Sequence, residues 1–291
     1  MRVLFFTTCT SNNQCFAGSF LCLGHDTEVI QYDVHGFNIA EVVEAKKPDL
    51  CIYIGALGWC HINRHVPDAD LLARANKAAP MVLICCDSGD APWWPTLEEY
   101  HVKNSFRLQV SIDGCKDSPI AKYGRVALTP VDPAQFPKID WEKRDLKLGF
   151  AGGFGCRSDM LNYLTGRGEL EWFSGSPNRP YEEMCMFYTR CRAIVNSAKT
   201  GSGQRWHVKG RVIEAGLAGA VLIESAEAPT KDWFEPGRDY LTWSQFEDIV
   251  NLANRTDPEM QAIAQRFHDR VLQEHSAQAF WGNVFKDIGL Q

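Results

Sequence analysis

Short apolar runs recur through the first half of the chain, each bounded by polar or Gly-rich residues. RVLFFTT (2–8), TEVIQYD (27–33), DLCIYIG (49–55), MVLICCD (81–87), RLQVSID (107–113) and RVALTPV (125–131) read as strands. Between them, IAEVVEAKK (39–47) and ADLLARANKAA (69–79) carry apolar residues at helical spacing. Near-continuous apolar strands separated by amphipathic helices predict a parallel sheet covered on both faces. The expected architecture is a doubly wound α/β domain.

The pattern breaks at PVDPAQFPKIDWEKRDL (130–146), whose prolines and charges mark a linker. A second alternating set follows. Strands are predicted at 146–152, 170–175, 192–198, 220–225 and 239–244, and helices at 157–167, 180–191 and 209–218. From Asp257 to about Leu290 the spacing of Ile263, Phe267, Val271 and Leu272 predicts continuous helix, with Asp257 as N-cap and Pro258 in the first position. The expected domains are 1–137 and 138–291, the last helix being a candidate to pack back on the first domain. A chain of 291 residues suits two domains of about 140 residues each. In open α/β sheets, ligands bind at the carboxyl ends of the strands, so the loops leaving those ends are where chemistry is sought.

Composition narrows the function classes. The chain is 45% apolar and 23% charged, which is ordinary for a globular protein. A net charge of -6 argues against a chain-wide basic footprint for nucleic acid. The 11 cysteines contain no C-x-x-C pair and several sit within apolar runs, so free buried thiols in a reducing, cytoplasmic compartment are expected. The N-terminus lacks a signal-peptide layout, and no apolar stretch approaches the roughly 20 residues of a membrane span.

The densest chemistry lies in KTGSGQRWHVKGRVIEAGLAGAVLIE (199–224). Lys209 and Arg211 fall where a helix begins, and Glu214 is expected within its first turn. Cations at a helix N-terminus add to the dipole and the free N–H groups, so this place suits a phosphate. A carboxylate beside it suits neutral hydroxyls such as those of a ribose. Plain solvated helix-start charges are the alternative.

Four segments in order extend this signal: GFAGGFGCR (149–157), VKGRVIEAGLAGAVLIES (208–225), WFEPGRDYLTW (233–243) and IAQRFHDRVLQEHS (263–276). In order and spacing they resemble the C-terminal domain of GT-B glycosyltransferases, specifically the group-4-type and spore-maturation glycosyltransferase-like enzymes. The resemblance runs from about Leu146 to His275. It implies two Rossmann-like domains facing across a cleft and a metal-independent hexosyl transfer. The donor would be a nucleoside diphosphate sugar, UDP-sugar foremost, with no further cofactor. It places Glu214 on the donor ribose, and Lys209 and Arg211 on the diphosphate. Gly152, Gly153 and Arg157 would line the same site, and Lys199 is a further donor candidate on a Gly/Ser loop. Classical members carry a second Glu where this chain has Trp206, for which packing and sugar stacking are both open. His207 reads as a polar surface residue.

The first half matches only in general plan, and no G-x-G-x-x-G occurs in it. Its strand-end loops carry Asn12, Trp59, His61, Arg64, Asp87, Trp93 and Trp94. Asn12, Trp59, Arg64, Trp93 and Trp94 are acceptor-binding candidates, with turn chemistry and loop packing as the alternatives. Asp87 or His61 would serve as general base if the reaction inverts configuration, and Asp113 is a weaker candidate. The expected activity is transfer to a hydroxyl acceptor: a glycan, a small molecule, a protein or a hydroxymethylated DNA base. A nucleotide-sugar epimerase of the same plan, or an inactive nucleotide-sugar or nucleic-acid binding protein, are the rivals.

Overall fold

A computed structural model of the chain describes residues 1–7, 18–31, 38–56, 68–153, 155–174, 179–200 and 203–290. The chain forms two compact units. The first comprises Met1–Pro130, Thr200–Arg205 and the segment from Ala277 onward; the second comprises Val131–Lys199 and Trp206–Ser276. No helix among the described residues is long and apolar enough to cross a membrane.

The first unit holds β1 (Arg2–Thr7), α1 (Gly18–Leu21), β2 (Asp26–Gln31), α2 (Ile39–Lys46), β3 (Leu50–Ala56) and α3 (Ala69–Ala78). Then come β4 (Met81–Cys86), α4 (Trp94–Val102), β5 (Leu108–Ser111), α5 (Ile120–Tyr123) and β6 (Arg125–Val126). The strands form one parallel sheet in the order β2-β1-β3-β4-β5-β6. Alternation along β1 sends Leu4 and Phe6 to one face, where Val43 of α2, Leu72 of α3 and Leu97 of α4 complete the core. Val3 and Phe5 point to the other face. The expected strand at 125–131 shrinks to two residues plus an isolated bridge from Leu128 to Asp113. It lies at the sheet edge, and Pro130 has no N–H to extend a ladder.

The second unit holds β7 (Leu146–Ala151), α6 (Ser158–Gly166), β8 (Glu171–Phe173), α7 (Tyr181–Arg190), β9 (Cys191–Asn196) and α8 (Gly210–Leu217). It continues with β10 (Val221–Ser225), β11 (Leu241–Trp243), α9 (Phe246–Ala253) and α10 (Asp257–Glu274). Its parallel sheet runs β11-β10-β9-β7-β8. Leu148, Phe150, Val195 and Ile223 pack against Leu161 of α6, Ile249 of α9 and Ile263 of α10. Arg144, in the linker, is buried and donates to the carbonyls of Cys191 and Ala218, both at 2.7 Å. It thereby caps the carboxyl end of α8.

The helix expected over 257–290 is two helices. α10 ends at Glu274, and α11 (Ala277–Ile288) belongs to the first unit. There its residues Phe280, Trp281 and Val284 cover Val3, Phe5, Ile52 and Ile84. The apolar spacing runs through the break because each helix buries a stripe of its own. The N-cap of α10 is Thr256, one residue ahead of the expected Asp257.

Candidate active site

Parallel strands put every carboxyl end of a sheet on the same edge, and the crevice opens where the strand order reverses. In the second unit that point lies between β7 and β9, because β8 lies on one side of β7 and β9 on the other. Arg157 and Arg211 converge there. The Nε–H of Arg211 donates to the carbonyl of Ala151, the last residue of β7. The Nε–H of Arg157 donates to the carbonyl of Ser197, just past β9. Both guanidinium groups flank the buried ring of Phe150, at 5.2 Å and 6.0 Å from its centroid.

Gly152 follows with φ +134, a conformation that side chains rarely adopt, and a Cβ there would overlap the Arg211 guanidinium. Glycine is therefore required both by the backbone and by the cation beside it. Gly153 is exposed and has open space around its Cα.

A third cation comes from the start of α8, next to Arg211. Lys209 is the N-cap, Gly210 opens the helix, and the N-cap makes no side-chain capping hydrogen bond. Lys209 and Arg211 are both half-buried. Positive charge at an uncapped helix start, beside a glycine turn at a sheet's switch point, suits a diphosphate.

Glu214 differs from expectation in one respect. It is the fifth residue of α8, just past the first turn, because a turn takes up only about 3.6 residues from Gly210. Its side chain is 7% exposed and its Oε1 accepts from the Tyr181 hydroxyl at 3.0 Å. Burial raises its pKa, opposed by the Arg211 charge and the Tyr181 hydrogen bond.

Lys199 and Trp206 pair as an antiparallel bridge, and the Lys199 ammonium stands 5.0 Å from the Trp206 ring centroid. Trp206 therefore packs beneath a cation. His207 is fully buried rather than on the surface, because it follows Trp206 into the interior ahead of α8.

Glu224 was not anticipated. It ends the apolar run of β10, fully buried, and accepts from Asn196 Nδ2 at 2.6 Å, Ser225 N at 2.9 Å and Thr230 Oγ1 at 3.4 Å. Burial pushes its carboxyl up to about 7, against those hydrogen bonds and the Arg211 charge. The signal available in the sequence was a lone acid inside AVLIES.

In the first unit the switch point lies between β1 and β3. The loops leaving those strands carry Asn12, Trp59, His61 and Arg64, all of which lie outside the described residues. Asp87 follows β4 with φ 57, and its carbonyl accepts from Asp90 N at 3.1 Å to close a turn. Trp93 and Trp94 are half-buried against the core, and Trp94 Nε1 donates to the Ser88 carbonyl at 2.9 Å. Arg205, paired with Asp117, lies 5.2 Å from the Trp94 ring centroid. Both indoles thus rest partly on the core of the first unit.

Asp113 is 4% exposed and accepts from Ser111 Oγ at 2.6 Å, Ser88 Oγ at 2.9 Å, Gly89 N at 3.2 Å and Cys115 N at 3.3 Å. It joins the loops after β4 and β5. The chain's Asp-x-Asp, Asp68-Ala69-Asp70, is spent on structure: Asp68 caps α3 and Asp70 pairs with Lys103 at 2.6 Å.

Residues 157–285 match a family described as glycosyl transferase-like. Several solved structures share the fold over nearly the whole chain. HepE of Anabaena, solved with UDP and glucose, is 12% identical over 99% of both chains with a TM-score of 0.64. An alpha-glucosyltransferase solved with UDP-glucose and DNA containing an abasic site is 10% identical over 99% of both, TM-score 0.67. A Listeria monocytogenes protein described as a candidate UDP-N-acetylglucosamine 2-epimerase is 10% identical over 97% of both, TM-score 0.56. No curated protein matches the chain in sequence. The fold is that of the GT-B glycosyltransferases.

Proposed function

We propose that this chain is a glycosyltransferase that moves a hexosyl group from a nucleoside diphosphate sugar, UDP-sugar foremost, to a hydroxyl acceptor. One observation carries the reading: two guanidinium groups and a helix start converge on a glycine turn at the switch point between β7 and β9. The glycosyl transferase-like match over residues 157–285 covers Arg157, Lys209 and Arg211, and the glycine turn lies just ahead of it.

In the reaction, the bond from the sugar's anomeric carbon to the diphosphate oxygen breaks and a bond to the acceptor oxygen forms. Negative charge grows on the departing diphosphate. Arg211, Lys209, Arg157 and the N–H groups of α8 stabilise it, which is the role a divalent cation plays elsewhere. Gly152 and Gly153 give the diphosphate close access to the backbone. Glu214 accepts from the ribose, and Lys199 is held in reserve by Trp206 on the neighbouring loop. The acceptor proton passes to the departing diphosphate in a retaining reaction, or to Asp87 or His61 in an inverting one. A reducing, cytoplasmic setting fits the described thiols, which are unbridged and mostly buried.

The likeness to a protein solved with both UDP-glucose and DNA favours a hydroxyl on a modified base among the acceptor classes. The likeness to the Listeria protein keeps epimerisation as a second reading. A thermal-shift screen against UDP-, GDP- and ADP-sugars tests the donor. A ligand at about 100 times its Kd adds roughly 2.7 kcal/mol of stability. Slow release of free sugar and nucleoside diphosphate would mark a transferase, and conversion of the donor to its epimer would mark the second reading. Absence of any shift would overturn both.

A further inference from the structure

The terminal torsion of a glutamate side chain is broad and roughly two-fold, so burial alone does not fix where its two oxygens point. In this chain something else does. Tyr181, the first residue of α7, is buried, and its hydroxyl donates to Glu214 Oε1 at 3.0 Å. We propose that Tyr181 is a positioning residue for Glu214, holding Oε1 so that Oε2 is turned to accept from the ribose hydroxyls of the donor. This rests on the donor site proposed above.

The chemistry requires the carboxylate to be ionised. An ionised acid is acceptor-only and matches ribose hydroxyls, which arrive as donors, whereas a protonated acid would present a donor of its own. The surroundings of Glu214 oppose ionisation through burial. Among the described residues, the groups facing it are Arg211 on its own helix and, from α7, Tyr181 together with the fully buried Tyr188. Tyr188 has no hydrogen-bond partner for its hydroxyl among the described residues, so the phenol that engages the carboxylate is Tyr181. Tyr181 and Arg211 thus favour the charged form, and Tyr181 also fixes its direction.

The test is calorimetric titration of the full chain with UDP between pH 5 and 8, with GDP and ADP as the alternative probes where UDP does not bind. Tyr181→Phe keeps the ring and removes the hydroxyl. It is expected to weaken binding by about tenfold or more at neutral pH, since a hydrogen bond to a charged group is lost. It is also expected to move the acidic limb of binding to higher pH, because burial then acts with less opposition. Glu214→Gln should abolish that limb, and adding Tyr181→Phe to it should cost little more. A purely structural tyrosine would lower the melting temperature without moving the limb. An unmoved limb in Tyr181→Phe, or an equal loss in the wild-type and Glu214→Gln backgrounds, overturns the proposal alone. Full affinity in Glu214→Ala, or no binding of any of the three diphosphates to the wild type, overturns the donor-site reading beneath it.

Discussion

The carboxyl ends of the two sheets are finished in opposite ways. After β4 and β5 in the first unit, the polar groups satisfy one another: Asp113 saturates two hydroxyls and two backbone N–H groups, and Arg205 is paired with Asp117. Between β7 and β9 in the second unit, the cations are held by carbonyls. Arg157 and Arg211 are each tethered through Nε, and α8 begins without a side-chain cap. A self-satisfied network contributes rigidity and has nothing left to bind with. A carbonyl that orients a guanidinium through Nε is neutral and does not itself cancel the charge. On the proposed function the difference separates a scaffold from a site, and mutations in the two places should fail differently.

The widest separation should come from Arg211→Ala. Loss of one preorganised donor to a developing anion typically costs about 100- to 1000-fold in kcat. Donor turnover should fall by that order while the denaturation midpoint stays within about 1 kcal/mol of wild type. Steady-state kinetics and urea unfolding on the same preparation check both halves. Activity within tenfold of wild type would erase the distinction from the second unit's side.

Asp113→Ala should show the converse. It strands two backbone N–H groups and removes a shared acceptor from two buried hydroxyls, so about 3 kcal/mol of stability should be lost. Binding of the nucleoside diphosphate should change little at temperatures where the protein stays folded. An unchanged midpoint in urea would mean that the network is decorative.

How much of this contrast was legible in the sequence depends on how local its causes are. Apolar runs such as LCIYIG and MVLICC disclosed the strands because burial on both faces of a parallel sheet leaves a continuous apolar signature. Gly152, Arg157, Lys209 and Arg211 could be singled out because each sits within a few residues of a strand end or helix start. Asp113 could not be read as a network centre, since its hydroxyl partner Ser88 is 25 positions away and only the fold joins them. The same holds for Tyr181 and Glu214, 33 apart. For Trp93 and Trp94 the sequence left acceptor binding and loop packing both open, because composition does not report how much of each indole rests on the core. The break at His275–Ser276 was hidden because it falls in a polar run, QEHS, with no Gly or Pro to mark a helix end, and apolar residues resume at Ala277 and Phe280.

Glu224 offers a test by pH instead of by mutation. Its carboxyl is held at about 7 in the folded protein, above an ordinary 4.5 in the unfolded chain. Between those values the folded state keeps a proton that the unfolded state has released. The group therefore contributes stability below about pH 4.5 and loses that contribution as pH rises to about 7. A shift of this size corresponds to a change of about 3 kcal/mol, as an order of magnitude. Glu224→Gln should flatten this part of the stability profile measured by urea unfolding. The same slope in wild type and variant would show that Glu224 is ionised throughout, and the second unit would then hold a self-satisfied acid like that of the first.

The smallest expected effect concerns what holds the site's cations in place. α8 carries Lys209 and Arg211 at its start, and its far side rests on α10, where Gly216 lies against Val271 and Phe267. A Cβ at Gly216 would come 2.6 Å from Val271 Cγ2, 3.1 Å from its Cβ and 3.2 Å from Phe267 Cε1. Helix propensity favours alanine over glycine by about 1 kcal/mol. The clash opposes it, and a β-branched valine cannot swing away as a lysine would. His268 Nδ1, 3.0 Å from the Gly216 carbonyl, further fixes the spacing of the two helices. Overpacking should win, so Gly216→Ala should lose about 1 kcal/mol net. Because α8 must then shift, donor KM should rise with it, although no atom near the diphosphate has changed. Val271→Ala alone removes buried methyls, yet in the Gly216→Ala background it should restore both stability and KM. Additive losses in that double variant would mean that α8 is positioned from its Arg211 end, and that the site holds the scaffold instead of the reverse.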